Sequence, residues 1–191
     1  VAIIVVIAFL SVFHIEYKEY NRGAVYLGYF LTPATVCLAI PLYKQLELLR
    51  QHLIAVASAI VAGVAGSVGS IYVMCRFFQL EHTHYVTLLP KSITTAIGMG
   101  VSEEAGGIVT LTVISIIITG ILGNIIADWL FQIFKIEEPI AKGLALGTAA
   151  HAIGTAKALE LGEIEGAMSS LSIAVAGLLT VVVVPLMSGL I

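Results

Sequence analysis

The sequence predicts an all-α polytopic membrane protein with about five spanning helices, two re-entrant helical hairpins and an inverted repeat, as in an elevator-like carrier. The first observation behind this prediction is composition: 59% of the 191 residues are hydrophobic and 11% are charged. A soluble domain of this size could not bury so much apolar surface, whereas lipid can solvate it. The second is a set of long charge-free runs, and the third is a pair of apolar runs too short to cross a bilayer.

The long charge-free runs predict the spanning helices. A span needs ~20 mostly apolar residues, and four runs are long enough: residues 23–43, 53–75, 105–127 and 166–191. The opening run, residues 1–13, has no basic region before it and no clear cleavage site after it, unlike a signal peptide. We interpret it as the tail of a fifth membrane helix whose start is missing from the sequence.

Two short apolar segments are predicted to be re-entrant. Residues 92–102 (SITTAIGMGVS) and 143–156 (GLALGTAAHAIGTA) are rich in Gly, Ala and Thr, and both contain the triplet Ala-Ile-Gly. In each case an acidic pair and a long apolar run follow. Because one spanning helix separates the segments, two hairpins would enter the membrane from opposite sides. This predicts inverted repeats over residues 88–134 and 139–191 within a single domain, residues 1–191.

The run at residues 23–43 contains two prolines, Pro33 and Pro41. Proline removes a backbone hydrogen bond from a helix, so we expect a kink or break near Thr32 and Pro33. The hydroxyls of Thr32 and Thr35 could satisfy the freed groups, and all three residues are candidate contacts for a solute.

A stripe of small residues marks the run at residues 53–75. Its members recur every fourth position: Ser58, Ala62, Gly66 and Ser70. Such a stripe permits close approach of helices in lipid, within the chain or between subunits. We expect a homo-oligomer, with a dimer favoured.

The strongest group of candidates lies at the end of the second short segment and just after it: His151, Gly154, Thr155 and Lys157, with Glu160 close by. Ionisable residues at membrane depth are costly and therefore candidates for function. Gly154 could allow close backbone approach or a helix break, and a half-helix N-terminus beside Lys157 would suit a small carboxylate. In the alternative interpretation, Lys157 extends to the interface and His151 is a hydrogen-bonded packing residue.

The first short segment offers a second group. Lys91, Ser92, Thr94 and Thr95 follow Pro90, and the hydroxyls and free amides of a broken helix could bind a polar solute beside the ammonium group. Alternatively, Pro90 starts a regular helix whose threonines bond to their own backbone.

Other charged residues are interpreted as structural. Glu103–Glu104 and Glu163/Glu165 could be cation or proton sites, but acidic residues also stabilise a first helical turn, and we prefer helix capping. The EHTH sequence at residues 81–84 is interpreted as a solvated loop, so no metal site is predicted. Enzyme motifs and basic tracts are absent from the sequence, and we expect no catalysis, cofactor or nucleic-acid partner. Lys and Arg are split evenly between alternate connections, which leaves the orientation open.

Three stretches resemble the LrgB/CidB family of bacterial membrane proteins: YFLTPATVCLAIPLYKQ at residues 29–45, LLPKSITTAIGM at 88–99 and HAIGTAKALELGEIEGAMSSLS at 151–172. The resemblance implies a multi-pass protein of the bacterial cell membrane with a further N-terminal hydrophobic helix. It also implies a link to control of murein hydrolases and cell lysis, together with a small LrgA/CidA-type membrane partner. Relatives include the chloroplast glycolate/glycerate transporter.

Two functions follow from these observations. The first is a secondary transporter of small monocarboxylates of the pyruvate, glycolate or glycerate type. The carboxylate is implied by the resemblance, although a helix terminus beside a lysine suits the same chemistry. The second is an antiholin-like or holin-like modulator of lysis that acts through its partner and needs no saturable solute site. A pore with unsaturable flux is a third, weaker interpretation.

Overall fold

The computed structural model describes residues 2–29, 33, 37 and 39–191, and every secondary-structure element in these residues is a helix. This confirms the predicted all-α class for the described part of the chain. Two compact units are present, Val1–Leu38 and Ala39–Ile191. The first unit contains α1 (Ala2–Val12) and α2 (Tyr17–Gly28). Of the candidate contacts in this unit, Thr32 and Thr35 lie outside the described residues, and Pro33 is exposed.

The second unit contains eight helices among its described residues. In chain order they are α3 (Ala39–Lys44), α4 (Leu46–Gln51), α5 (Leu53–Phe77), α6 (His82–Leu88), α7 (Thr95–Glu104), α8 (Val109–Ile133), α9 (Pro139–Leu161) and α10 (Glu163–Ser188).

Three of these helices, α5, α8 and α10, are long and apolar enough to cross a membrane. They correspond to three of the five predicted spans. The run at residues 1–13 forms an 11-residue helix, and the run at residues 23–43 includes positions that the structure does not describe. The observed bounds differ from the charge-free runs because helices continue into charged residues at their ends: α8 extends past Asp128.

The start of α8 was also predicted too early. Gly106 has φ 78°, a left-handed backbone conformation that favours glycine, and it separates α7 from α8. Glu103 and Glu104 are consequently the last two residues of α7 rather than part of a first helical turn. The capping interpretation is wrong for this pair, whereas Glu163 and Glu165 do lie in the first turn of α10.

One face of α5 packs inside the unit. Val56, Ile60, Val64 and Val68 recur every fourth residue and are all nearly fully buried, the periodicity of a helix with one packed face. The predicted small-residue stripe lies elsewhere on the helix, because its four members are all exposed. Packing of this stripe within the chain is therefore not seen among the described residues.

Residues 82–104 form what we call the first hairpin, in which the chain folds back on itself. Its arms are α6 and α7, joined by a non-helical turn at residues 89–94. Thr112 of α8 contacts both arms: its Oγ1 is 2.9 Å from the Thr87 carbonyl oxygen on one arm and 2.7 Å from Ser102 Oγ on the other. The two arms therefore lie side by side.

Helix α9 forms the second hairpin. It is broken at His151, whose backbone angles (φ 43°, ψ −136°) are not helical. A Cβ added to Gly154 would contact the carbonyl oxygen of Leu146, eight residues earlier. On a straight helix residues eight apart are separated by about 12 Å. The chain therefore turns back at His151, and residues 139–150 and 152–161 are the two arms.

Both arms of the second hairpin pack on the first part of α10. A Cβ at Gly143 would contact the Glu165 carbonyl oxygen, and one at Gly147 would contact that of Ser169. These contacts advance in the same direction along both elements, so the first arm runs parallel to α10. The return arm runs antiparallel to it, with Thr155 Oγ1 2.7 Å from Ser169 Oγ.

The bases of the two hairpins lie at opposite ends of α10. At its C-terminal end, the Tyr85 hydroxyl of the first hairpin donates to the Met187 carbonyl at 3.0 Å. At its N-terminal end, only Gly162 separates α10 from the second hairpin. The 26 residues of α10 extend over about 39 Å, which exceeds the ~30 Å hydrocarbon core.

The tips of both hairpins contact the middle parts of spanning helices. In the first tip, Ser92 Oγ accepts a hydrogen bond from Ser67 Oγ of α5 at 2.9 Å. In the second, His151 Nε2 lies 2.9 Å from the Ile116 carbonyl oxygen of α8. A Cβ added to Gly120, one turn along α8, would meet the His151 ring at 2.7 Å. Polar groups of both hairpins thus lie beside the middle parts of helices long enough to span a membrane.

Candidate functional site

The two hairpin tips flank the same stretch of α5. Ser67 contacts Ser92 of the first tip, and a Cβ added to Gly63, one turn earlier, would lie 2.9 Å from Thr148 Oγ1 of the second hairpin. Between α5, the first tip, α8 and the second hairpin is an open cavity of about 640 Å³. This volume lies within the ~300–1,000 Å³ range of small-molecule sites.

Lys91 is the ionisable residue of this cavity. The lining is otherwise apolar or hydroxyl-bearing: Ala59, Gly63, Ser67, Ser92, Thr119, Leu122, Gly123, Ile126, Ala141, Leu144, Ala145, Thr148 and Ala149. The ammonium group donates to Ser92 Oγ at 3.1 Å. Ion pairs among the described residues join Lys44 to Glu163 and Lys157 to Asp128, and Lys91 takes part in neither. Among the described residues, the ammonium group in the cavity therefore has no carboxylate partner.

Hydroxyl groups surround this charge. Ser92 accepts from both Lys91 and Ser67, which leaves its own hydroxyl hydrogen available to a solute. Thr119 of α8 and Thr148 of the second hairpin also line the cavity. A cation beside several hydroxyls can bind an oxyanion by charge-assisted and neutral hydrogen bonds.

Three of these hydroxyl residues, Ser67, Thr119 and Thr148, were missed in the sequence. Each lies in a long or short apolar run, where serine and threonine commonly bond to their own backbone. Thr148 does this, because its Oγ1 donates to the Leu144 carbonyl at 2.7 Å. The sequence signal available was weak: a serine next to the small-residue stripe and a threonine in a segment already predicted to be re-entrant.

Thr94 and Thr95 lie at the start of α7, on the return side of the first tip. Thr94 is the N-cap residue of α7, in extended conformation and without a side-chain capping bond. Since α7 begins at Thr95, residues 91–94 are not part of a proline-started helix. Both threonines lie outside the lining of the cavity.

His151 occupies the turn of the second hairpin. Its side chain is 4% exposed and its Nε2–H donates to the Ile116 carbonyl of α8. Since carbonyl oxygens only accept, this bond fixes the proton on Nε2. The position corresponds to the alternative interpretation from sequence, a hydrogen-bonded packing residue. The helix break falls at this histidine, whereas Gly154, three residues later, provides close backbone approach, the other role predicted for it.

Gly154 and Thr155 hold the two arms and α10 together. Gly154 permits the close approach to Leu146 described above. Thr155 is 1% exposed, and its Oγ1 bonds to the His151 carbonyl at 3.1 Å and to Ser169 Oγ at 2.7 Å. Neither residue faces the cavity next to Lys91.

Lys157 is paired with an acidic residue that the sequence did not suggest. Its Nζ lies 2.7 Å from Asp128 Oδ2 on α8. The Lys157 side chain is 19% exposed and that of Asp128 is 52% exposed. The pair links the return arm of the second hairpin to the end of α8, so this ammonium charge is already neutralised by a partner.

Metal-ligand residues are scattered in the described part of the chain, where no three His, Cys, Asp or Glu side chains come together. In the EHTH sequence, His82 Nδ1 lies 2.8 Å from the Ile191 carbonyl oxygen, a contact at the end of the unit. Every buried polar side-chain atom described has a hydrogen-bond partner.

Comparison with known proteins gives the family. The LrgB-like family model matches residues 1–190. The chain is 40% identical over 186 residues to the antiholin-like protein LrgB of Bacillus mycoides (strain KBAB4), covering 97% of this chain and 81% of that protein. Proteins of the same name from Bacillus cereus (strain B4264) and Bacillus anthracis (strain CDC 684 / NRRL 3495) match with the same identity and coverage. No solved structure matches. Together with three spanning-length apolar helices, these matches indicate a membrane protein, and the chain belongs to the LrgB family.

Proposed function

We propose that this chain is a secondary carrier of small anions and that Lys91 binds the anionic group. The observation that carries the proposal is the unpaired Lys91 ammonium in the cavity beside Ser92. An isolated cation at mid-depth is stabilised when an anion enters, because the pair removes the cost of a lone charge in a medium of low dielectric constant. The same interaction gives the site its affinity.

Small monocarboxylates of the pyruvate, glycolate or glycerate type are the proposed substrates. One cation matches one carboxylate, and the hydroxyls of Ser67, Thr119 and Thr148 could bond to an oxo or hydroxyl group of the substrate. Apolar lining residues such as Leu122 suit a short carbon chain. The choice of carboxylate over other small anions rests on the family resemblance.

The inverted repeats, residues 88–134 and 139–191, are also a proposal, with two lines of support. Gly98 and Gly154, 56 positions apart, each approach the carbonyl oxygen of the residue eight positions earlier, Pro90 and Leu146. The two hairpin bases lie at opposite ends of α10, as inversion requires. Inverted repeats with broken helices are typical of secondary transporters. We extend this to elevator-like movement of one bundle against another in a multi-pass protein of the cell membrane, with five spans, two of them contributed by residues 1–43.

The relatives' name supports a second function more directly than the first. They are named antiholin-like proteins, and this favours a modulator of murein hydrolase activity and lysis that acts with an LrgA/CidA-type membrane partner. The two functions are compatible, since anion flux could change lysis indirectly. A modulator of this kind requires a partner surface but no anion site.

Uptake of labelled pyruvate or glycolate into proteoliposomes tests the carrier. We expect Lys91→Met to reduce saturable uptake at least tenfold, since a bond to a charged group contributes about 1.5–3 kcal/mol. Lys135→Met is the matched control, because Lys135 is exposed in the turn after α8, and it should leave uptake unchanged. Unchanged uptake in the Lys91 variant would refute the site. Co-purification with a holin-like partner, together with no saturable uptake by the wild type, would favour the second function.

A further inference from the structure

We propose that the base of the second hairpin faces the cytoplasm and that, in this structure, the Lys91 cavity is open to the cytoplasmic side. The orientation is independent of the proposed function. Only the statement that a cytoplasmic solute enters the cavity rests on the carrier proposal.

Contacts assign the helix ends to two sides, which we call the Gly162 side and the Tyr85 side. The Gly162 side includes the start of α10, where Glu163 pairs with Lys44 at 3.8 Å. The Tyr85 side includes the end of α10, and it also includes the end of α5, because the Tyr72 and Tyr85 rings are 6.3 Å apart. The start of α5 is therefore on the Gly162 side.

The end of α8 also lies on the Gly162 side. Asp128, near this end, pairs with Lys157, one turn before the second hairpin ends at Leu161. Ala127 packs with Leu146 and Ala158, one from each arm. Residues 134–138, which join α8 to α9, are thus on the same side as Gly162.

The basic residues are unevenly divided between these sides. On the Gly162 side lie Lys44, Arg50, Lys135, Lys142 and Lys157, and on the Tyr85 side the second unit has Arg76. Lys18 and Arg22 belong to the first unit and are not counted. Cytoplasmic connections of membrane proteins carry an excess of Lys and Arg. The Gly162 side is therefore assigned to the cytoplasm.

The excess of Lys and Arg on one side could not be seen in the sequence. If the connections between the predicted spans simply alternate between the two sides of the membrane, Lys91 falls in the same connection as Arg76. The first hairpin removes Lys91 from that connection. Its turn carries the residue to mid-depth, where Ser92 contacts Ser67 of α5. A charge that lies inside the protein does not contribute to orientation. Of Arg76 and Lys91, only Arg76 therefore counts for the Tyr85 side.

The cavity itself is asymmetric along the same axis. Its lining extends from Lys91 at mid-depth through Thr148 and Ala145 to Ala141, in the first turn of the second hairpin. Towards the Tyr85 side the first hairpin is tightly packed: Tyr85 and Val86 are 0% exposed, and Thr112 is buried between its arms. Access is therefore from the Gly162 side.

Cysteine labelling of the full chain in bacterial cells tests both statements. In a background with Cys37→Ser and Cys75→Ala, single substitutions are made at two exposed positions: Glu104→Cys on the Tyr85 side and Glu137→Cys on the Gly162 side. A membrane-impermeant maleimide should label Glu104→Cys in intact cells and Glu137→Cys only in inside-out vesicles, with at least a tenfold difference between preparations. The reverse pattern would overturn the orientation, and labelling of both from one side would overturn the assignment of hairpin bases.

Access to the cavity is tested with Ala145→Cys in the same background. We expect labelling from the side that labels Glu137→Cys, and slower labelling when millimolar pyruvate is present. Reaction only from the opposite side, or from neither side, would overturn the open cavity. Correct sidedness without protection by pyruvate, and without carboxylate uptake in proteoliposomes, would leave the orientation standing while the carrier proposal fails.

Discussion

Gly98 and Gly154 each lie against the carbonyl oxygen of the residue eight positions earlier in the chain. A Cβ at Gly98 would be 3.4 Å from the carbonyl oxygen of Pro90, and a Cβ at Gly154 would contact that of Leu146. The surroundings are nevertheless unequal. The nearest neighbour at Gly98 is the end of the Ile116 side chain, which can move, whereas at Gly154 it is backbone.

We therefore predict that Gly154→Ala destabilises the protein more than Gly98→Ala does. Overpacking against a fixed group costs about 1–3 kcal/mol or more, and displacement of a flexible side chain costs less. Thermal unfolding of the purified protein in detergent measures the difference. Gly100→Ala is the control, because Gly100 is exposed on α7 and a Cβ there has no neighbour within 4 Å, and alanine should stabilise the helix slightly. Equal losses at Gly98 and Gly154 would contradict the contact at Leu146.

The turn at His151 leads to a second prediction. Its positive φ favours glycine and costs other residues about 1–3 kcal/mol. His151→Ala and His151→Gly both lose the bond to the Ile116 carbonyl, but only the glycine relieves the backbone. We expect the glycine variant to be more stable than the alanine variant by about 1 kcal/mol in thermal unfolding. A less stable glycine variant would argue against a left-handed turn here.

The Thr155–Ser169 hydrogen bond should appear as a coupling energy. Both side chains are buried. Thr155→Val therefore leaves the His151 carbonyl and the Ser169 hydroxyl without this hydrogen-bond partner, and it should lower the free energy of unfolding by about 1–3 kcal/mol. The double variant with Ser169→Ala should lose less than the sum of the single losses, by about 0.5 kcal/mol or more. Ser170→Ala is the matched control, because Ser170 bonds instead to the Gly166 carbonyl. The loss of unfolding free energy from Ser170→Ala should simply add to the loss from Thr155→Val.

The exposed small-residue stripe on α5 supports a prediction about assembly. If a second copy packs on it, Gly66→Leu should separate the helix backbones and shift a dimer towards monomer, since close approach in lipid needs small residues. Val61→Leu is the control, because Val61 is exposed on a different face of α5. Light scattering of the detergent-solubilised protein measures the mass. If the Gly66→Leu variant is still a dimer, the small-residue stripe is not part of the dimer interface.

The spanning helices α5, α8 and α10 could be predicted because lipid demands long apolar runs, a requirement that a sequence displays directly. The two short segments were recognisable because they are apolar but too short to cross a bilayer. The position of the turn was not predictable in the same way: Gly154 could provide either a break or a close approach, and the structure has the close approach at Gly154 and the turn at His151. The bond to Ile116, 35 residues away, helps to hold that turn.

The candidate site was only partly predictable, because partners from distant positions decide which polar residues are available. In the sequence, Lys91 and Lys157 are both lone cations next to the short segments, and the group with Lys157 was ranked first. Asp128, on another helix, neutralises Lys157 and leaves Lys91 as the charge in the cavity. Ser67 gave no separate signal, since its importance comes from its contact with Ser92 across the fold.

Because α10 carries the base of one hairpin at each end, its tilt couples the protein to bilayer thickness. The apolar part of α10, residues 166–188, is about 34 Å long, which exceeds a ~30 Å hydrocarbon core, and tilting would relieve this hydrophobic mismatch. A thinner bilayer should increase that tilt and displace the two hairpin bases laterally in opposite directions, shearing the tips past each other. The lipid composition around this protein should therefore tune the width of the space between them.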